Sequence, residues 1–221
     1  MMLETTEIET GDHPGASIIV LHGLGADGSD FFPLAEELDL TPIGPTRFVF
    51  PDAPTRPVTV NGGHVMRAWY DIIGNDDLTR REDETGLRTS QTAIEVLIAR
   101  ERARGIPAAR IVIAGFSQGC AMALQTGLRH PERLAGILGM SGYLPLLDKT
   151  SAELHEANLD TPIFLAHGLE DSVVHFGRAT SSRDTLKALG YDLEWHQYPM
   201  GHSVCPQEIT DLNRWLVRVL S

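Results

Sequence analysis

The sequence predicts an α/β fold in which a mainly parallel central sheet is covered by helices on both faces. Two observations predict it. Short apolar, β-branched runs recur along the chain, and amphipathic stretches of helical period lie between them. Strands that alternate with helices imply right-handed βαβ crossovers, and those produce a parallel sheet with both faces covered. The 221 residues contain no low-complexity linker and no internal repeat, so one domain over residues 1–221 is expected.

The elements follow in order. Ser17 to Leu21 (SIIVL) reads as a buried strand ending in His22-Gly23, and Phe31 to Leu38 as a short helix with Pro33 in its first turn. Arg47 to Phe50 is the next strand. Glu84 to Arg104 is the longest helix: Leu87, Ile94, Leu97 and Ile98 recur at helical spacing, and Gly105 and Pro107 follow. Arg110 to Ala114 (RIVIA) is a strand, and Gln118 to His130 a helix stopped by Pro131. Leu134 to Met140, Pro162 to Ala166 and Tyr191 to Tyr198 are strands. Arg178 to Leu189 and Pro206 to Leu220 are helices, the last with proline at its permitted start. The stretch between Phe50 and Glu84 is too long and too apolar for an idle loop, and a substrate cleft is one place for it to bury itself.

Composition excludes several function classes. A formal net charge of −12 leaves no basic stripe for nucleic acid. No apolar run approaches the ~20 residues that span a bilayer, and no signal segment is evident, so stable membrane insertion is not expected and a cytoplasmic location is. Cys120 and Cys205 form no CxxC pair and read as reduced thiols; a disulfide between them is the less favoured option. None of the nine histidines falls in a metal-binding spacing.

The chemistry is carried by Gly115-Phe116-Ser117-Gln118-Gly119, which lies between a predicted strand and a predicted helix. That is the context of a nucleophile elbow, where flanking glycines permit a turn too tight for side chains and the serine hydroxyl stands at a helix N-terminus. A serine needs a base. Loops at the carboxyl ends of parallel strands gather into one crevice, so the base should follow a later strand. His202 does. The orienting acid should follow the strand between, in His167-Gly168-Leu169-Glu170-Asp171-Ser172, where Asp171 is the first choice and Glu170 the second. Ser, Asp, His is the chain order of the α/β-hydrolase fold. The N–H groups of Gln118, after the nucleophile, and of Leu24, in the glycine-rich loop from Leu21 to Gly28, are the expected oxyanion donors. Ser141, which also follows a strand, reads as a structural loop residue. His22 reads as bonding locally beneath the oxyanion loop.

These residues resemble the carboxylesterase/acyl-protein thioesterase family, of phospholipase/carboxylesterase type, and look most like its small bacterial carboxylesterases. The matching stretches are LHGLGADGSDF at 21–31, NGG and RAWYDI within 61–73, REDETGLRTS at 81–90, AGFSQG at 114–119, SGYLP at 141–145, HGLEDSVV at 167–174 and YPMGHSVCPQEI at 198–209. The resemblance implies a serine esterase without metal or organic cofactor. Its substrates would be short- to medium-chain carboxylic esters, with acyl thioesters, lysophospholipids and acylated proteins as further options. It carries over Ser117, Asp171 and His202 as triad, Leu24 and Gln118 as oxyanion donors, and Met66, Trp69, Ile72, Ile73 and Val173 as the acyl groove. Cys120 departs from the second glycine common in such elbows. Apolar loops near the site are compatible with a homodimer. The alternatives are a binding protein that shares the fold without catalysis, and a peptidase or lyase on the same fold.

Overall fold

The computed structural model describes residues 2–73 and 81–221, Arg81 by its backbone only. Residues 74–80, part of the long stretch before Glu84, lie outside the described residues.

The chain opens with strand β1 (Thr5–Glu9) and β2 (Ala16–Leu21), followed by a short helical turn over Gly28–Phe31 and helix α1 (Phe32–Glu37). Strand β3 (Thr46–Pro51) follows, then two small antiparallel ladders, β4 (Thr55–Val58) with β5 (His64–Arg67) and β6 (Ile72–Ile73) with β7 (Arg81–Glu82). Next come α2 (Glu84–Ala103), β8 (Ile111–Phe116), α3 (Gln118–Gly127), β9 (Gly136–Met140) and α4 (Leu147–Glu153). The chain closes with β10 (Ile163–Gly168), α5 (Phe176–Ala188), β11 (Leu193–Tyr198) and α6 (Pro206–Leu220).

Seven strands form the main sheet in the order β1-β3-β2-β8-β9-β10-β11, parallel throughout except for the antiparallel edge pair β1–β3. From β2 the chain moves to β3 on one side. It then crosses to β8 on the other side and runs outward to β11. The order therefore reverses between β2 and β8, whose carboxyl ends lie side by side with Leu21 paired to Gly115. A crevice opens where neighbouring loops diverge in this way, and ligands of open parallel sheets bind there.

Side chains alternate along each strand and fill two cores. Ile19, Leu21, Ile113 and Ile137 face α2, α3 and α5, and are packed with Leu87, Ile94, Leu97, Leu124 and Leu186. Ile18, Val20, Val112 and Leu138 face α1 and α6, and are packed with Leu34, Leu212, Trp215 and Leu216. This is the α/β-hydrolase architecture expected from the alternating pattern.

Four features depart from the expectation. β1 was not anticipated; its Glu7 and Glu9 pair with Arg47 on β3 and with Arg100 and Arg104 after it, which holds a polar segment on the sheet edge. The helix predicted to reach His130 ends at Gly127, and helix α4 is additional. The stretch after Phe50 is largely ordered by its two small ladders: Thr59 caps onto Asp71, and Ala68 donates to the carbonyl of Pro54 at 3.1 Å.

Candidate active site

The site grows from the turn between β8 and α3. Ser117 sits at φ 55° and ψ −115°, a conformation that side-chain-bearing residues rarely adopt. The flanking glycines explain how the turn closes. A Cβ on Gly115 would stand 2.1 Å from the carbonyl oxygen of Gly119, and one on Gly119 would stand 2.0 Å from that of Leu21. No side chain fits at either position, so strand, turn and helix touch backbone to backbone. The Ser117 N–H is fixed by the Met140 carbonyl at 2.8 Å, which ties the turn to β9.

Two further loops are sewn together beside it. The Leu169 N–H donates to the Tyr198 carbonyl at 2.8 Å and the Glu170 N–H to the Met200 carbonyl at 3.0 Å. Gly168 makes this possible, because a Cβ there would meet the carbonyl oxygens of Met200 and Gly201 at 2.3 and 2.4 Å. The loop after β10 is thereby pressed against the loop after β11, and Asp171 meets His202. His202 Nδ1 lies 2.7 Å from Asp171 Oδ2, and His202 Nε2 lies 2.9 Å from Ser117 Oγ. Residues 117, 171 and 202, from three separate loops, thus form one hydrogen-bonded chain. Glu170, the second choice for the acid, is exposed.

The carboxylate of Asp171 is fully shielded from solvent and well supplied with donors. Its Oδ1 accepts the N–H groups of Val173 and Val174 at 2.8 and 2.9 Å, which leaves Oδ2 for His202. A second imidazole, that of His167, stands 3.3 Å from Oδ2 while bonded to the Val174 carbonyl at 2.8 Å. Burial lowers the pKa of His167 and favours the neutral ring, whose Nε2 faces both oxygens. On the other side, the His202 ring leans on Phe116, with centroids 4.8 Å apart. Sequence reasoning missed His167 as a partner of Asp171. The i,i+4 spacing across a strand-end turn was the available signal.

The loop after β2 lies directly over the elbow. Gly23 abuts Phe116 and Ser117: a Cβ on Gly23 would be 3.4 Å from a carbon of each. Gly25 and Ala26 spend their N–H groups on the carbonyls of Arg67 and Gly23. Among the described residues, the N–H groups of Leu24 and Gln118 have no protein partner, and the latter opens helix α3, where no carbonyl of the same helix stands behind it. The expected local role of His22 takes a definite form. Its Nε2 accepts the Ala53 N–H at 3.0 Å, so the proton is on Nδ1, which donates to the Gly23 carbonyl at 2.7 Å. Burial lowers its pKa and favours this neutral form.

A cleft of about 620 Å³ opens above Ser117 and His202, walled by Leu24, Phe31, Phe116, Val173 and Val204. Of the five residues expected to line a groove, Val173 does, half exposed at its mouth. Trp69 does not, and that expectation is corrected. It is fully buried, its indole N–H donates to the His22 carbonyl at 2.9 Å, and its backbone N–H donates to the Gln118 side chain at 2.8 Å. The Gln118 amide returns a bond to the Tyr70 carbonyl at 2.8 Å. Trp69 is therefore a clamp between the loop after β2 and the turn that carries Ser117. Among the described residues, Met66, Ile72 and Ile73 also stand outside the cleft wall: Met66 flanks Gly25, and Ile72 and Ile73 form β6. Phe31, Phe116 and Val204, which do line it, were not singled out from the sequence. Ser141 is buried, with its N–H on the Ala166 carbonyl, and keeps its structural reading. Both cysteines are free thiols.

The chain is similar to known proteins over nearly its whole length. The profile of the phospholipase/carboxylesterase family matches residues 3–220. Acyl-protein thioesterase 1 of Yarrowia lipolytica is 42% identical over 205 residues, covering 91% of this chain and 90% of that protein. Acyl-protein thioesterase 1 of Neurospora crassa is 44% identical over 214 residues, covering 93% and 87%. Among solved structures, Zea mays acyl-protein thioesterase 2 superimposes with a TM-score of 0.86 at 30% identity, covering 99% of each chain. Arabidopsis thaliana SOBER1 superimposes at 0.87 and 30% identity, covering 93% of this chain and 99% of that one. With a family profile that spans almost its whole length and relatives this similar, the chain belongs to the phospholipase/carboxylesterase family.

Proposed function

We propose that the chain acts as one α/β-hydrolase domain and is a serine carboxylesterase that cleaves short- to medium-chain acyl esters through an acyl-enzyme. The observation that supports this most is the hydrogen-bonded series Ser117–His202–Asp171 at the floor of an apolar cleft. Asp171 takes the Nδ1–H of His202, so the Nε2 lone pair faces the Ser117 hydroxyl. Ser117 Oγ attacks the acyl carbon as its proton passes to Nε2. Negative charge builds on the former carbonyl oxygen, where the N–H groups of Leu24 and Gln118 receive it. The imidazolium, steadied by Asp171, then protonates the departing oxygen or sulfur. Water repeats the cycle on the acyl-enzyme and frees the acid. A cleft of this size suits a small apolar acyl group.

Acyl thioesters on proteins are a second substrate reading, favoured by relatives named acyl-protein thioesterases. We also propose a cytoplasmic location, supported by two free thiols. Among the described residues, no helix is long and apolar enough to cross a membrane. A homodimer through the apolar loops near the site is part of the same proposal.

The test is a panel of acyl esters and thioesters from C2 to C16, run beside fluorophosphonate labelling. Labelling of Ser117 and turnover that Ser117→Ala lowers by about 10⁶ are expected. An unlabelled protein, or full turnover in the alanine variant, overturns the reading.

A further inference from the structure

A second, smaller hollow of about 250 Å³ adjoins the catalytic cleft and shares Asp30, Phe31 and Val204 with it. Beyond that shared wall its floor is apolar, made by Leu34, Met140 and Ile209. The chain that builds one side of it runs directly on from His202, through Val204, Cys205 and Pro206 into the start of α6. Nothing in the acyl-transfer mechanism above uses this hollow.

Resting on that mechanism, we infer that this hollow is the subsite for the alcohol portion of the ester, and that it takes an uncharged apolar group such as a benzyl or short branched alkyl. The departing oxygen must receive its proton from His202 Nε2, so the leaving group lies on the imidazole's side of Ser117. His202 lines the main cleft beside Ser117, and Val204, Cys205, Pro206 and Ile209, which follow it in the chain, line one side of the second hollow. An ester carbonyl held at Ser117 therefore has one apolar space for each of its two arms, with Phe31 and Val204 as the partition. The smaller volume matches the size of a ring or a few methylenes. Asp30 and Glu37 stand on its rim, and none of the described residues lining it is cationic. Carboxylates without a balancing cation disfavour an anionic alcohol such as one bearing a phosphate or carboxylate.

The experiment holds the acyl group constant as butanoyl and varies the alcohol among methyl, benzyl and 4-carboxybenzyl. Ile209→Trp, which fills the hollow, is expected to lower the benzyl-to-methyl ratio of kcat/KM by about ten-fold. Ile209→Ala, which enlarges it, is expected to raise that ratio. Comparing each variant's ratio with that of the wild type cancels the intrinsic difference in leaving-group reactivity. Opposite shifts from the two variants cannot come from general loosening of α6, and the alanine variant carries the test if the tryptophan variant misfolds. Glu37→Gln should raise the relative rate with the 4-carboxybenzyl ester. Ratios unmoved by both Ile209 variants overturn this subsite while leaving the esterase reading intact. Failure of the wild-type chain to cleave any of these esters overturns the esterase reading itself.

Discussion

The Nδ1–H of His22 is bonded to the carbonyl oxygen of Gly23 at 2.7 Å, and through that bond the ring aims an amide it does not touch. The carbonyl of Gly23 and the N–H of Leu24 belong to one planar trans peptide and point in opposite directions. Fixing the oxygen fixes the N–H. The Ala53 N–H on Nε2 keeps the ring in the donating tautomer, and Trp69 secures the preceding carbonyl. His22→Phe should therefore behave as the loss of one oxyanion donor, lowering kcat by about 10² with a smaller effect on KM. His22→Asn, whose amide nitrogen replaces Nδ1, should recover most of that loss. Equal kcat values for the two variants, measured at matched folded fractions, would show that the ring only fills space.

Asp171→Asn carries a sharper expectation, because the surroundings dictate which way the new amide turns. Oδ1 accepts two backbone N–H groups, from Val173 and Val174, so the amide oxygen must take that place. The NH₂ group then faces His202 Nδ1 and donates to it. The imidazole is driven to the tautomer with its proton on Nε2, which cannot accept the proton of Ser117. A fall in kcat of about 10⁴ is expected, with the fold retained. A fall below ten-fold in steady-state assays would remove Asp171 from the role.

How much of this was visible in the sequence follows from burial. The strands that became β2, β8, β9 and β10 are covered on both faces and announce themselves as apolar runs. β1 (TTEIE) has one apolar residue, and only the antiparallel partner and the arginines around Glu7 reveal it. Helix α4 (LDKTSAE) has no apolar stripe; Lys149 with Glu84, and Arg129 with Glu153 at 2.7 Å, tie it down. Within the site, Ser117, Asp171 and His202 were legible because each ends or follows a readable strand. Trp69 was misplaced because an aromatic residue in a long loop suggests a groove wall. Its two donors instead needed acceptors, and those lay on His22 and Gln118, 47 and 49 residues away.

Cys120 sits three residues beyond Ser117 yet is built to be inert. Its side chain fills the space above Gly142, where an added Cβ would approach the thiol sulfur to 2.6 Å. Burial pushes its pKa up to about 12, and the nearby Gly142 and Tyr143 amides only partly oppose this. At pH 8 about one molecule in 10⁴ carries the thiolate that alkylating reagents require. Iodoacetamide on the native protein should modify Cys205 alone, as read by intact mass and peptide mapping. Both should react once the chain is unfolded. Rapid labelling of Cys120 in the folded state, at the rate of Cys205, would contradict its burial.

Glu208 gives the fold a pH dependence of its own. It lies fully buried in the first turn of α6, six residues after His202, and burial raises its pKa from 4.5 to about 8. Asp211 pushes in the same direction, and the Cys205 N–H opposes both. The buried Cys120 thiol and the Tyr198 ring are its other titratable neighbours. Between the unfolded and folded values, the native chain holds a proton that the unfolded chain has released. Stability therefore falls as pH rises through this window, by at most about 1.4 kcal/mol per pH unit from this group. Glu208→Gln keeps the shape and removes the titration. Denaturant melts of wild type and variant from pH 5 to 8.5 should diverge steadily, with the wild type losing a few kcal/mol relative to the variant. Every other titrating group is common to the two proteins, so the difference isolates this carboxyl. Parallel stability curves would mean that Glu208 is already ionised in the native protein at pH 5, and that a cation or water shell compensates the charge.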